Sequence, residues 1–109
     1  MKLCKEHIFL TLLIYNIYQK LGTNEIDVDL IEEELERLHY HTNDSELRDE
    51  LYKIWKYLED YLCELEQMRI ITYNVEVDTS NDAIIRKVIL NEKLRKNLPK
   101  FKFLSGITY

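Results

Sequence analysis

One proline, two glycines, two cysteines and three histidines are all that 109 residues contain of these types. Each shortage removes a class of function. Gly22 and Gly106 stand far apart, so no glycine-rich loop can fold backbone amides around a phosphate. Cys4 and Cys63 are too few for a disulfide framework or a four-cysteine zinc site. In a reducing compartment they are free thiols, and the spacing alone leaves a bond between them open. Cys4-x-x-His7 and His39-x-His41 have metal-ligand types without the paired spacing of a structural zinc site, so no metal is expected. His39 and His41 are read as loop residues. No Ser/His/Asp set or carboxylate pair stands out from the acidic surface, so neither an enzyme nor a cofactor is expected.

Long apolar runs are also missing. Ile8 to Ile14 is interrupted by Thr11 and followed by Asn16, Gln19 and Lys20, well short of the about 20 apolar residues that span a bilayer. No small-residue cleavage site accompanies it, which argues against a signal peptide. The expected setting is cytoplasmic, without membrane contact.

Positive charge is scarce where negative charge is dense. Of a formal net charge of −5, residues 27–66 carry −10, the first 26 residues +1 and residues 67–109 +4. A molecule with two electrical sides follows, its positive side supplied by the C-terminal block.

What the chain does have is clear periodicity. Leu47, Leu51, Ile54, Leu58, Leu62 and Leu65 are spaced by threes and fours and share one helix face. After Arg69 the period changes to two: Ile71, Tyr73, Val75 and Val77 alternate with Thr72, Asn74 and Glu76. Two strands are therefore predicted, over Arg69–Val77 and Ala83–Leu90, joined by the polar turn Asp78 to Asp82.

From the N-terminus, the first helix spans Lys5–Leu21 and Gly22 closes it. Ile8, Leu12, Tyr15 and Leu21 form its main face, with Phe9, Leu13 and Ile17 beside it. Residues 24–28 suit a short edge strand. Asp29 caps a second helix over Leu30–His39, with Glu32 completing the pair, and Ile31, Leu35 and Leu38 turn inward. Thr42, Asn43, Asp44 or Ser45 caps the third helix. That helix either runs unbroken to Met68, about 35 Å at 1.5 Å per residue, or breaks near Tyr52. Asn91 caps a short last helix over Glu92–Leu98, ended by Pro99. Residues 1–98 make one domain and 99–109 a tail that packs back or meets a second subunit.

Helix, short strand, helix, helix, strand, turn, strand is an α+β order and the topology of a winged helix-turn-helix: three helices, a two- or three-stranded wing sheet and a short C-terminal helix. The segment from Tyr61 to Thr72 (Tyr-Leu-Cys-Glu-Leu-Glu-Gln-Met-Arg-Ile-Ile-Thr) resembles the recognition-helix exit in the C-terminal winged-helix domain of archaeal origin-binding initiator ATPases. Lys5-Glu6-His7-Ile8 and the apolar helix after it are similar too. The resemblance covers at most Lys5 to Leu98 and implies duplex-DNA binding through a helix and a wing. The wing tip here, Asp78 to Asp82, departs from that family's glycine- and arginine-rich tip.

Two basic sets would then carry DNA contact. Arg48, Tyr52, Lys53 and Lys56 lie off the leucine stripe on the third helix, where they would meet bases or phosphates. Arg86, Lys87, Lys93, Arg95 and Lys96 continue the surface, with Lys100 and Lys102 beyond. The plainer alternative is a solvated face with helical pairs such as Asp49–Lys53 and Lys56–Asp60. The expected function is a small DNA-binding regulator of transcription or replication, of archaeal, viral or plasmid type. It would act as a homodimer joined through its terminal segments or the leucine stripe. The rival is a protein-interaction module that offers its acidic helices to a basic partner and leaves DNA alone.

Overall fold

The computed structural model describes residues 4–23, 25–77 and 79–91. They form an α+β fold of four helices and a three-stranded antiparallel sheet: α1 (Lys5–Leu21), β1 (Glu25–Asp27), α2 (Val28–His41), α3 (Ser45–Lys56), α4 (Leu58–Gln67), β2 (Ile71–Val77) and β3 (Ala83–Leu90). The strand order is β1-β3-β2. The expected last helix, the tail and Lys93, Arg95 and Lys96 lie outside the described residues.

α1 sits at the centre of the fold. Leu10, Leu13 and Ile14 are fully buried, and Ile17 nearly so. Leu12 and the flanking Phe9, Leu13 and Ile17 are buried as expected, but the rest of the assigned face is not: Ile8 and Tyr15 are half-buried, and Leu21 is exposed. In a helix surrounded on most sides, the richest apolar row is the one that reaches the most neighbours, and spacing alone does not say which row that is. Gly22 ends α1 with φ 71°, and its N–H donates to the Tyr18 carbonyl at 2.8 Å.

α2 begins two residues before the expected start. Asp27, not Asp29, precedes it, and β1 runs directly into it. It extends to His41, so His39 and His41 are helical, not loop residues. Asp44 caps α3: its Oδ1 accepts the N–H groups of Glu46 at 2.9 Å and Leu47 at 3.3 Å.

The third helix is neither continuous nor broken near Tyr52. It bends at Tyr57, whose φ of −111° and ψ of 30° are non-helical. Helical hydrogen bonds still run through the bend, from Tyr57 N–H to the Lys53 carbonyl and from Tyr61 N–H to the Tyr57 carbonyl. Ile54 and Leu58 keep their four-residue spacing across it, so periodicity carries no mark of the bend. From Leu51 to Leu65 the leucine stripe is buried in the core with α1 and the sheet. That removes it as an interface between two copies.

α4 hands over to β2 through a Schellman turn. Ile70 N–H donates to the Leu65 carbonyl at 2.9 Å and Arg69 N–H to that of Glu66 at 3.0 Å, with Arg69 at φ 62°. β2 therefore starts at Ile71, two residues later than expected. Its register with β3 shifts at one point: Asn74 pairs with Lys87, but Val75 pairs with Ile85. Arg86 is the extra residue of a β-bulge. The bulge explains why Ile85, Val88 and Leu90 are all buried although Ile85 and Val88 are an odd number of residues apart. Beyond the bulge β3 keeps Ile85 in the core, while on β2 Val75 and Val77 are 47% and 66% exposed.

Candidate interaction groove and a buried polar cluster

Of the nine residues expected to contact DNA, six are described, and several of their charged groups have partners within the protein. On α3, Arg48 is exposed and its Nη2 donates to the Thr42 carbonyl at 2.7 Å. Lys53 Nζ pairs with Glu6 Oε1 at 3.1 Å and so ties α3 to α1. Lys56 Nζ lies 5.5 Å from the centre of the Tyr57 ring. On β3, Arg86 Nε is 3.4 Å from Glu76 Oε2, and Lys87 Nζ is 3.9 Å from Glu25 Oε2. Exposed pairs of this kind contribute little stability, yet a paired cation offers a phosphate less net charge. The helical pairs Asp49–Lys53 and Lys56–Asp60 expected from spacing are not what holds these lysines.

α4, the helix that leads into the hairpin, reads Leu-Glu-Asp-Tyr-Leu-Cys-Glu-Leu-Glu-Gln and has no basic side chain. Glu59, Asp60 and Glu66 are exposed and Glu64 partly so. The bend at Tyr57 thus separates α3, whose three basic and three acidic side chains cancel, from the acidic α4, two stretches that a single helix would have placed on one rod.

A groove of about 650 Å³ lies between α2 and α3. Leu35 and Leu51, both buried, line its base, while Tyr40, Tyr52 and Trp55 are 82%, 51% and 44% exposed. Glu33 and Glu36 stand on its α2 side, together with Arg37, His39 and His41. Neighbouring aromatic rings support one another: Tyr52 and Trp55 lie 6.2 Å apart at a tilt, and Tyr40 meets His41 edge-on at 5.2 Å. The helical periods leave this arrangement in place. Tyr52 and Trp55 flank Leu51 and Ile54, and Glu33 and Glu36 flank Leu35, so each helix turns its core face down and its neighbours up to the groove. Tyr52 and Trp55 both stand off the leucine stripe in the sequence, Trp55 with a core reading beside it; Tyr40 and the two glutamates are not marked as site residues there. The signal of large aromatics just off an apolar stripe is also that of core residues.

A second constellation was invisible in sequence. His7 is 3% exposed, and its ring joins two partners. Nδ1 lies 3.0 Å from Cys4 Sγ and Nε2 lies 3.0 Å from Glu64 Oε1. The Cys4 backbone N–H also donates to Nδ1, at 3.1 Å. Tyr61 meets the imidazole edge-on at 5.7 Å, and Thr11 Oγ1 donates to the His7 carbonyl at 2.7 Å. Cys4-x-x-His7 had been weighed only as a metal pair, and Glu64 lies 57 positions further on. Burial pushes the Cys4 thiol up and the Glu6 carboxylate adds to this, against the backbone hydrogen bond from His7. Glu6 itself would be raised by burial, but hydrogen bonds from Cys4, its own backbone, Lys53 and Glu50 outweigh that and bring it down to about 2. Cys4 and Cys63 are both free.

Among the described residues no helix is long and apolar enough to cross a membrane. No family model, no curated protein and no solved structure matches the chain.

Proposed function

We propose that this chain is a protein-interaction module with a winged-helix layout, and that the groove between α2 and α3 receives a basic segment bearing aromatic or aliphatic side chains. One observation carries the reading: three large aromatics stand exposed in a concave site that Glu33 and Glu36 also line, with Arg37 in the same lining but bonded to Glu34. Exposed Trp and Tyr in a pocket are what interface centres are made of, and Glu33 and Glu36 select a positive ligand. The acidic α4 and the paired lysines weigh against a phosphate ligand.

Trp55 is the only tryptophan, which makes the groove its own reporter. A short synthetic peptide alternating lysine with phenylalanine should shift Trp55 emission to the blue, saturably, with an affinity that weakens as salt rises. Glu33→Lys with Glu36→Lys should reduce that affinity about tenfold or more, since like charges across an interface cost over 1.4 kcal/mol. A peptide that leaves Trp55 unchanged at low salt would sink the reading.

Duplex-DNA binding, the function expected from the resemblance, keeps a specific observation in its favour. The element order and the β1-β3-β2 sheet are compatible with a winged-helix layout, and Arg48, Arg86 and Lys87 are exposed. Random duplex DNA titrated in the same buffers separates the two. Binding that exceeds the peptide's and falls steeply with salt would favour DNA. Pairing of two copies, if it occurs, needs a surface other than the buried leucine stripe.

A further inference from the structure

We infer that Cys4 is a thiol–disulfide exchange site, with His7 as its general base and Glu64 as the positioning residue that holds His7 in the required tautomer. A backbone N–H can only donate, so the His7 Nδ1 that receives the Cys4 N–H carries the lone pair. The ring proton is then on Nε2 and is donated to Glu64 Oε1. This is the tautomer in which Nδ1, 3.0 Å from Sγ, can take the thiol proton. Nucleophile, base and orienting carboxylate are each within hydrogen-bond reach of the next, which is the signature of an activated nucleophile. The base cannot swing away. It is buried, edge-packed on Tyr61, and fixed at both ring nitrogens.

The same contacts also cap α1, because His7 reaches back to the first N–H of the helix entry. A cap alone explains the Cys4 N–H bond. It does not call for a thiol at the capping residue, where Ser, Thr, Asp or Asn is the usual choice, or for a carboxylate from α4 on the far ring nitrogen. Those two features are what a proton relay requires.

At rest the site holds a thiol, since burial and Glu6 both oppose the thiolate. In the step, the Sγ proton moves to Nδ1 and displaces the Cys4 N–H from it. Sγ attacks one sulfur of a small disulfide R–S–S–R′, and the S–S bond breaks. The leaving thiolate takes the proton back from the imidazolium. The products are Cys4–S–S–R and R′–SH: Cys4 is oxidised and the departing sulfur reduced. The groups that set the pH response are Glu6 on α1, Tyr61 and Glu64 on α4, and Lys53 and Glu50 on α3, which act through Glu6.

Cys63 supplies the internal control. It is also half-buried, but its Sγ faces the Tyr73 hydroxyl at 3.5 Å and no base. In the full chain, Cys63→Ser leaves Cys4 as the only thiol and Cys4→Ser leaves Cys63. With an aromatic disulfide such as DTNB at neutral pH, Cys4 should react about tenfold or more faster than Cys63 and faster than free glutathione, a threshold set below the about hundredfold at which general-base assistance begins. Its rate should hold up below the pH range where an ordinary thiol slows. Glu64→Gln, in the Cys63→Ser background, keeps a hydrogen-bonding side chain and removes the charge. It should slow Cys4 about tenfold and return the pH profile to that of a simple thiol. His7→Gln should do the same, with far-ultraviolet circular dichroism to verify that it folds. A Cys4 rate no greater than glutathione's, or one that Glu64→Gln leaves unchanged in size and pH dependence, would reduce the cluster to a helix cap.

Discussion

At the scale of single residues, Arg69 carries the hand-over from helix to strand. It is the C′ residue of α4 and sits at φ 62°, a left-handed conformation that costs an L-residue about 1–2 kcal/mol. The turn around it is fully bonded: Ile70 N–H reaches Leu65, Asn91 Nδ2 donates to the Arg69 carbonyl at 2.8 Å, and buried Ile70 and Leu65 supply the apolar contact of the motif. Arg69→Gly removes the conformational cost and adds some unfolded-state entropy. The net should be a gain of about 0.5–1 kcal/mol, read as a higher midpoint in urea at unchanged slope. A lower midpoint would mean that the arginine side chain contributes more than its backbone conformation costs. The change of period at this residue was legible in the sequence. The need for a left-handed residue was not, because the chain puts arginine where glycine usually gives the sign. Asp44 was among four legible caps. Asp27 was not legible as the residue before α2, because its side chain makes no cap hydrogen bond and β1 runs straight into the helix.

At the scale of elements, the bulge in β3 is the feature that propensity could not supply. The run Ala-Ile-Ile-Arg-Lys-Val-Ile-Leu has no clean alternation. In an unbulged register, Ile84, Arg86, Val88 and Leu90 would share the inner face, and a guanidinium would enter the apolar side. The bulge puts Ile85 there and keeps Arg86 exposed, beside Glu76. Arg86→Val removes the reason for it. The regular register, with position 86 opposite Val75 and Ile84 opposite Val77, then becomes competitive, because cross-strand apolar pairs are worth about 0.2–1 kcal/mol each. Two sets of cross-strand Hα contacts, or a complete switch to the 75–86 pairing, should appear in NMR spectra of the variant. Spectra holding only the Val75–Ile85 pairing would show that something other than side-chain polarity fixes the register. The same limit explains the bend at Tyr57: periodicity reports which residues face inward, and they face inward on either side of it.

At the scale of the whole molecule, the described residues divide into a body with one core and a hairpin end outside it. All twelve of the largest fully buried side chains come from the helices, β1 and the proximal ends of β2 and β3, in one cluster. This is why the fold class was legible: the stripes, the change of period and the order of elements together leave few ways to bury those faces. The working surface was less so. Exposure of Trp55 and Tyr40 depends on where α2 lies across α3, and the pairing of Lys53, Arg86 and Lys87 depends on partners 10 to 62 residues away. The division predicts a contrast in energetics. Ile14→Ala opens a cavity at the centre of α1 and should cost about 2–5 kcal/mol, a large part of the 5–15 kcal/mol that holds a domain together. Val77→Thr, at a 66% exposed site on the hairpin end, should change stability by less than about 0.5 kcal/mol. If one core binds all four helices and the sheet, the Ile14→Ala loss should appear at the same lowered temperature in far-ultraviolet circular dichroism and in Trp55 emission, because α3 cannot keep its groove when α1 yields. Separate transitions for the two signals would mean that α2 and α3 stand as a unit without α1, and that the groove outlasts the core beneath it.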